Sequence, residues 1–270
     1  MATIAKRFTF REQSQTSATP TASFRLSTTW VAVEEQRPLD DLPRENVWPE
    51  PTDFIDVLFV AKNEADRWEK WLAAPDHPEA VPSITATVEN QTIHWRPGRA
   101  IIVGKPNAQG DALAALLEFA FYEGRFRELE AALESRHAGA AVDVEHAYRI
   151  KNRELEQKFG ESIESLYSLR LVFVKIEPHL SRTPRRLSVT SRRLMARLLR
   201  RADLEGRLED FNTLLETCED LYEGGSDRIA DYRWYRNGHR LEVGIIVLLV
   251  MEVVLMTLEL ISRYREGGGE

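Results

Sequence analysis

The chain is poor in the residues that staple small folds or build metal centres. It holds one cysteine, Cys218, among 270 residues. That excludes an intrachain disulfide and any multi-cysteine zinc site. Fourteen glycines and twelve prolines are too few for a collagen-like or low-complexity chain. No G-x-G-x-x-G occurs, so a dinucleotide fingerprint is absent. Gly98 and Gly104-Lys105 enclose five residues where a phosphate loop needs four, and Pro106 follows where Ser or Thr is required. His77, His94, His137, His179 and His239 are scattered, with no Ser or Cys partner that the sequence identifies. Asp143, Glu145 and His146 are close in sequence, but immediate neighbours on a helix diverge, and Asp143 reads better as a helix cap. No catalytic residue, metal ligand or cofactor site is expected, and the chain reads as a non-enzyme with no small-molecule substrate.

What the chain has is apolar mass and unevenly placed charge. At 43% hydrophobic it can build a sizeable core and is not disordered throughout. Net charge is −7, from 36 Lys+Arg against 43 Asp+Glu, which does not itself point to nucleic acid. Residues 1–30 carry Lys6, Arg7, Arg11 and Arg25 against Glu12, with many Ser and Thr and no apolar h-region. A secretory signal is therefore not expected, although the composition overlaps with an organellar transit peptide. Phe24, Leu26, Thr28, Trp30 and Ala32 alternate at period two, which suits a strand instead. Residues 34–52, with Pro38, Pro43, Pro49 and Pro51, read as a linker or long loop.

The period of the apolar residues changes along the chain. Phe54–Val60 is β-rich, and Ile84–Val88, Thr92–Trp95 and Ala100–Val103 are short strands with turns at Asn90-Gln91 and Pro97-Gly98. Asn63 to Ala74 is expected to be helical, with Trp68, Trp71 and Leu72 on one side. From Asp111, a good N-cap, Leu113, Leu116, Leu117, Ala120 and Phe121 recur at helical spacing, and this helix should end before Gly139. Asp143 should cap a second helix, with Pro178 and Pro184 bracketing a break after it. A third helix starts near Thr190 or Ser191. Within it Leu204, Leu208, Phe211, Leu215, Cys218 and Tyr222 follow a 4-3-4-3-4 spacing, a heptad seam that needs a facing partner and predicts an antiparallel coiled coil and a homo-oligomer. Gly224-Gly225-Ser226 should break it, and a last helix should run from Asp227 to about Arg265. Cys218 on the seam reads as a small buried apolar residue.

The expected class is α+β: a small N-terminal α+β region, then helical hairpins with an antiparallel coiled coil, then a C-terminal transmembrane helix. The expected divisions are a flexible N-terminus at 1–22, an α+β domain at 23–106, a helical domain at 107–240, a membrane helix at 241–263 and a tail at 264–270.

Val243 to Ile261 forms the longest apolar run, 19 residues, which is enough to span a bilayer. Thirteen Val, Ile and Leu at about −0.4 kcal/mol each give about −5 kcal/mol, against about +3 kcal/mol for Glu252 near the middle. Insertion is then near balance or slightly favourable, and easier if an oligomer buries Glu252. Glu259 lies seven residues further on the same helical face. The N-side flank holds Arg228, Arg233, Arg236, His239 and Arg240, and the C-side flank holds Arg263 and Arg265. The positive-inside rule places the N-terminal bulk on the cytosolic or matrix side of an inner membrane. The alternative is a soluble helical interaction protein whose apolar run is an oligomerisation helix.

The close of the chain, Arg240-Leu241-Glu242, then the apolar run, then Met251-Glu252-Val253, resembles the required-for-meiotic-nuclear-division family. Arg207-Leu-Glu-Asp-Phe-Asn212 is similar to that family's helix before a coiled-coil turn, and Gly160 to Arg170 to its leucine-rich helix. The loop Leu180 to Thr190 departs from the pattern, being basic where the family is acidic and aromatic. The resemblance implies a membrane-anchored, oligomerising, non-enzymatic protein. Mitochondrial members of the family support translation by the organelle's ribosomes.

The strongest charge feature is Arg182, Arg185, Arg186, Arg192, Arg193, Arg197, Arg200 and Arg201, uninterrupted by Asp or Glu. Arg192, Arg193, Arg197, Arg200 and Arg201 should spread over one broad helical face suited to phosphate, whether of RNA, of a ribosome or of anionic lipid. A solvated face, or one paired with acidic residues, is the alternative. No aromatic residue interleaves with these arginines, which argues against a base-stacking platform.

Overall fold

The computed structural model describes residues 3–13, 23–27, 29–37, 53–64, 68, 71–72, 83–149 and 153–266. Among the described residues, seven strands form one sheet: β1 (Ile4–Glu12), β2 (Ser23–Arg25), β3 (Trp30–Arg37), β4 (Phe54–Val60), β5 (Ile84–Val88), β6 (Gln91–Arg96) and β7 (Arg99–Val103). The helices α1 (Pro106–Arg149), α2 (Arg153–Ser181), α3 (Val189–Arg201) and α4 (Leu204–Glu266) follow. The class is α+β, a small N-terminal sheet followed by helices, the last of which carries the apolar run. The chain divides into two units, residues 1–137 with 166–216, and residues 138–165 with 217–270.

The sheet of the first unit has the order β2-β3-β1-β4-β7-β6-β5. Only β4 and β7 pair in parallel. β4 is buried along almost its whole length, as a central strand covered on both faces requires; its run is apolar but for Asp56. Pro97-Gly98 turns β6 into β7, with Gly98 at φ 76°, the left-handed value that a type II turn demands after proline. On one face of the sheet, Phe10 and Trp30 meet Phe121 of α1 at 5.3 and 5.2 Å between ring centroids, and Trp95 meets Phe119 at 4.8 Å. On the other, Trp71 and Leu72 pack against Ala5, Leu58, Val60, Ile101 and Val103. Of the expected helix at 63–74, Trp68, Trp71 and Leu72 are described as helical, while Lys62–Glu64 is a 3₁₀ turn.

Residues 4–12, expected to belong to a flexible N-terminus, lie inside the sheet between β3 and β4. The apolar alternation there is short, and Lys6-Arg7 interrupts it. Arg7 is nonetheless a sheet residue, because Nε and Nη2 donate to the two carboxylate oxygens of Asp56, each at 2.7 Å. Asp56 is fully buried, and this bidentate bond raises the Arg7 pKa above its ordinary value. Residues 34–37 of the expected linker complete β3, and 38–52 lie outside the described residues. The alternation from Phe24 to Ala32 is real but divided between β2 and β3, which pair with each other.

The helix boundaries differ most from expectation. α1 begins at Pro106, so Asp111 lies inside it and caps nothing; the Ser191 hydroxyl donates to its backbone carbonyl at 2.9 Å instead. α1 also continues past Gly139, beside which a side chain would meet only open space. α2 runs through Pro178 to Ser181, and the break comes after it. α3 starts at Val189, where the Ser188 hydroxyl accepts from the Ser191 amide at 3.0 Å. It ends at Ala202, and Asp203 turns the chain at φ 49°. The expected third helix is therefore two. The Asp at 203, a good N-cap type just before an apolar heptad, was the available signal.

Of the seam, Leu204, Phe211, Leu215, Cys218 and Tyr222 are buried within the chain, while Leu208 is half-buried. In the first unit Phe211 lies 5.4 Å from Phe126 of α1 and 4.7 Å from Phe173 of α2, and Leu215 is fully buried. The seam therefore does not itself require a second copy. Beside it Arg207 donates Nε and Nη2 to Glu130 and Nη1 to Glu123 at 3.2 Å, and Arg127 also donates to Glu123. Glu123 is fully buried, and burial pushes its carboxyl above the usual range against the pull of both guanidiniums.

In the second unit the expected break at Gly224-Gly225-Ser226 is absent, and α4 runs straight through. Gly225 serves close packing: a Cβ there would lie 2.3 Å from Phe159 of α2. Phe159 in turn meets Tyr222 edge-on at 5.4 Å. Asp143, expected as a cap, sits inside α1 and is buried; it accepts the Tyr222 hydroxyl at 3.1 Å and pairs with Lys158. Burial pushes the Tyr222 hydroxyl pKa upward. Cys218 is buried, as its place on the seam implied.

Two tests follow from this packing. Arg207→Met should cost about 3–5 kcal/mol, because it leaves a buried carboxylate short of a partner. Urea unfolding of the full chain in detergent measures it, and a loss under about 1 kcal/mol would show the pair to be dispensable. Gly225→Ala should destabilise by about 1–3 kcal/mol through overlap with Phe159. Gly224→Ala, which meets nothing within 4 Å, should stabilise by up to about 1 kcal/mol through helix propensity. Equal effects of the two alanines on melting would refute the packing role of Gly225.

Candidate functional site

The arginine-rich stretch is divided by the fold into parts with different surroundings. Ser191, Leu194, Met195 and Leu198 are the buried side of α3, which lies against β5 of the first unit. At about 100° per residue, Arg193, Arg197, Arg200 and Arg201 fall within roughly 100° of one another on the flank beside that buried side. All four are exposed. Arg192 falls outside this group, half-buried, with an Nε that finds no hydrogen-bond partner. The five arginines singled out in sequence thus separate into four on one face and one at its edge.

The four are not in equivalent surroundings. Arg193 lies 3.8 Å from the carboxylate of Glu89, with both side chains more than 60% exposed. Such a pair is worth little in water. Arg200 lines a groove of about 910 Å³ bounded by α2, α3 and the start of α4, together with Glu177, Asp203, Glu205 and Glu209. Its charged neighbours there are those four carboxylates and Arg182, so the groove as a whole is not an anion site. Among the described residues Arg197 and Arg201 make no ion pair. They are the part of the face most available to an outside phosphate.

Arg186, upstream on the loop between α2 and α3, is committed to the fold. It pairs with Glu118 of α1, which is fully buried, and donates to the Arg25 carbonyl and to the Ser27 hydroxyl. Sequence reading missed Glu118 and Glu123 as the anchors of Arg186 and Arg207. The signal was there: two acidic residues set in the apolar stretch from Leu113 to Phe126. Carboxylates at such positions need cationic partners.

The second candidate surface is the end of α4, in the second unit. Gly238–Leu258, 21 residues with mean hydropathy 2.5, is long and apolar enough to cross a membrane, and none of it is buried within the chain. Every side chain from Gly238 to Leu258 is exposed, Glu252 among them. The Thr257 hydroxyl returns to the Val253 carbonyl at 2.7 Å, so this polar group is satisfied along the helix itself. Trp234 and Tyr235, before the stretch, are 82% and 72% exposed. His239 and Glu242 approach at 3.6 Å. Of Glu259, only its place in α4 is described. Among the described residues no group of three or more His, Cys, Asp or Glu is arranged to hold a metal ion.

No protein-family model matches the chain, and no curated protein does. Among solved structures, the complete CorA magnesium transporter from Methanocaldococcus jannaschii is similar at 12% identity and TM-score 0.36, over 92% of this chain and 82% of the transporter. The full-length CmaX protein is similar at 12% identity and TM-score 0.39, over 93% of this chain and 85% of that one. Likeness of this degree says nothing of what the chain does.

The basic face makes a measurable demand. If Arg197, Arg200 and Arg201 contact phosphate, replacing them with Gln should flatten the slope of log affinity against log salt by about two to three units. The helix should survive, since Gln is a good helix former. RNA and anionic liposomes are the two probes. A wild-type chain that binds neither at about 50 mM salt would leave a solvated face as the surviving account.

Proposed function

We propose that the chain is a membrane-anchored, non-enzymatic scaffold or assembly factor that works as a homo-oligomer. In this reading residues 243–261 are its single transmembrane helix. The observation that carries the proposal is the exposure of Gly238–Leu258 on every side. A soluble helix buries its apolar stripe and shows water a polar face. A continuous apolar surface of this extent marks a membrane or protein contact. Its length matches the hydrocarbon core of a bilayer.

The flanks set the direction. Arg228, Arg233, Arg236, His239 and Arg240 precede the run, and only Arg263 and Arg265 follow. The sheet and most of the helices then face the cytosol or the matrix, at a bacterial or mitochondrial inner membrane. Glu252 at mid-span favours an oligomer, in which neighbouring helices shield the carboxyl from lipid. With the heptad seam occupied inside the chain, Glu252 becomes the chief reason to expect one. The closing motif supports membership of the required-for-meiotic-nuclear-division family. Support of translation at the membrane is the process that membership implies, with the α3 face as the contact for ribosomal RNA or anionic lipid.

Deleting residues 241–270 should move the protein from the membrane pellet to the soluble fraction, while the full chain resists alkaline carbonate. Glu252→Leu should favour insertion by about 3 kcal/mol. Release of the full chain by carbonate would overturn the anchor and leave the soluble oligomerisation helix in its place.

A further inference from the structure

The loop between α2 and α3 forms a second basic feature, a shallow open hollow that the α3 face does not include. A pocket of about 280 Å³ is lined by Ser27, His179, Arg182, Thr183, Arg185 and Arg186, with Pro178 and Pro184. No carboxylate lines it. The acid held by its lining is Glu118, which is fully buried behind Arg186 and already bonded to the Ser27 amide at 3.1 Å. Three guanidiniums are thus set against one carboxylate that faces away from solvent.

The lining groups differ in how they are held. Arg186 is fixed at three points, by Glu118, the Arg25 carbonyl and the Ser27 hydroxyl. The Ser27 oxygen accepts from Arg186 Nε at 3.1 Å, which leaves its own hydrogen free to donate. Arg182 and Arg185 are exposed and make no ion pair among the described residues. His179 is stacked on Tyr122, 4.3 Å between centroids and 6° from parallel, so its ring is held in one plane. Desolvation lowers the His179 pKa below its ordinary value, which keeps the ring neutral with one N–H to donate. The hollow therefore combines a fixed guanidinium and a hydroxyl with the exposed guanidiniums of Arg185 and of Arg182, the latter shared with the groove between α2, α3 and α4.

We propose that this pocket binds a single phosphate group, as a phosphomonoester. A tetrahedral dianion matches several convergent donors, and guanidinium forks are the side chains best shaped for it. The volume falls below the usual range for drug-sized ligands, which favours a small anion over a nucleotide. The α3 face differs in kind, because its arginines are spread along a helix, whereas Arg182, Arg185 and Arg186 share one short stretch beside Ser27 and His179. The chemistry is common to a soluble phosphomonoester and to a lipid headgroup such as phosphatidic acid, and the assay separates them.

The full chain in detergent is titrated with inorganic phosphate and with glycerol phosphate by calorimetry at fixed ionic strength. In parallel it is floated with phosphatidylcholine vesicles with and without phosphatidic acid. Saturable binding of a phosphate probe, or flotation that needs phosphatidic acid, is expected. The double variant Arg182→Gln/Arg185→Gln should weaken it at least tenfold with an unchanged circular dichroism spectrum, and Ser27→Ala should weaken it less. Lys175→Gln, which removes an exposed charge elsewhere on α2, should leave it unchanged. Binding to no probe, or binding that the double variant and Ser27→Ala leave intact, overturns the proposal. Since it makes no use of residues 241–270, its outcome is independent of whether the anchor reading holds.

Discussion

Two carboxylates on one helix have no access to water, and the first unit is arranged around satisfying them. Glu118 and Glu123 of α1 are both fully buried. A carboxylate in such a place is costly unless a cation reaches it. Neither is neutralised by the sheet it faces. Glu118 receives Arg186 from the loop before α3, and Glu123 receives Arg207 from the first turns of α4 as well as Arg127 from its own helix. The ion pairs therefore bind α1 to chain that follows it by 68 and 84 residues. Apolar packing between α1 and the sheet could tolerate sliding by a fraction of a turn. The paired charges admit one register, because a slip would leave a carboxylate buried alone.

The sheet was legible where its strands were regular. Ile84–Val88 and its two successors are legible in sequence to within a residue, with Pro97-Gly98 between the last two, because period and turn chemistry are local; the turn before β6 is Glu89-Asn90 and not Asn90-Gln91. β1 was not legible, because Arg7 reads as a surface charge unless Asp56 is known to lie opposite it. The helices were legible by their apolar period but not by their ends. Glycine and proline punctuate a helix only weakly when tertiary packing favours continuation, and Gly139, Gly225 and Pro178 are all such cases. The helix break comes instead at Asp203, whose left-handed backbone the sequence signals only through its residue type, a good N-cap before an apolar heptad.

The candidate surfaces divide in the same way. The apolar end of α4 is a property of composition, and among the described residues nothing covers it. The arginines were visible as a cluster, but their roles were not. Arg186 closes an ion pair whose partner lies 68 residues away. Arg200 stands among carboxylates, and only part of the stretch faces outward unengaged. A run of like charge in sequence records an average, and the fold distributes it among structural, compensated and available groups.

The position of the apolar stretch also sets the timing of events during synthesis. The last strand, β7, ends at Val103, and the stretch begins at Gly238, about 135 residues later. At roughly 5–20 residues per second, that interval is about 7–27 s. Mixed and all-β domains of this size fold within milliseconds to seconds. The strand partners of β1, β4 and β7 have thus been made, with time to pair, before the most aggregation-prone part of the chain emerges. The seven-stranded sheet need not compete with that stretch for apolar contacts while its own register is being settled.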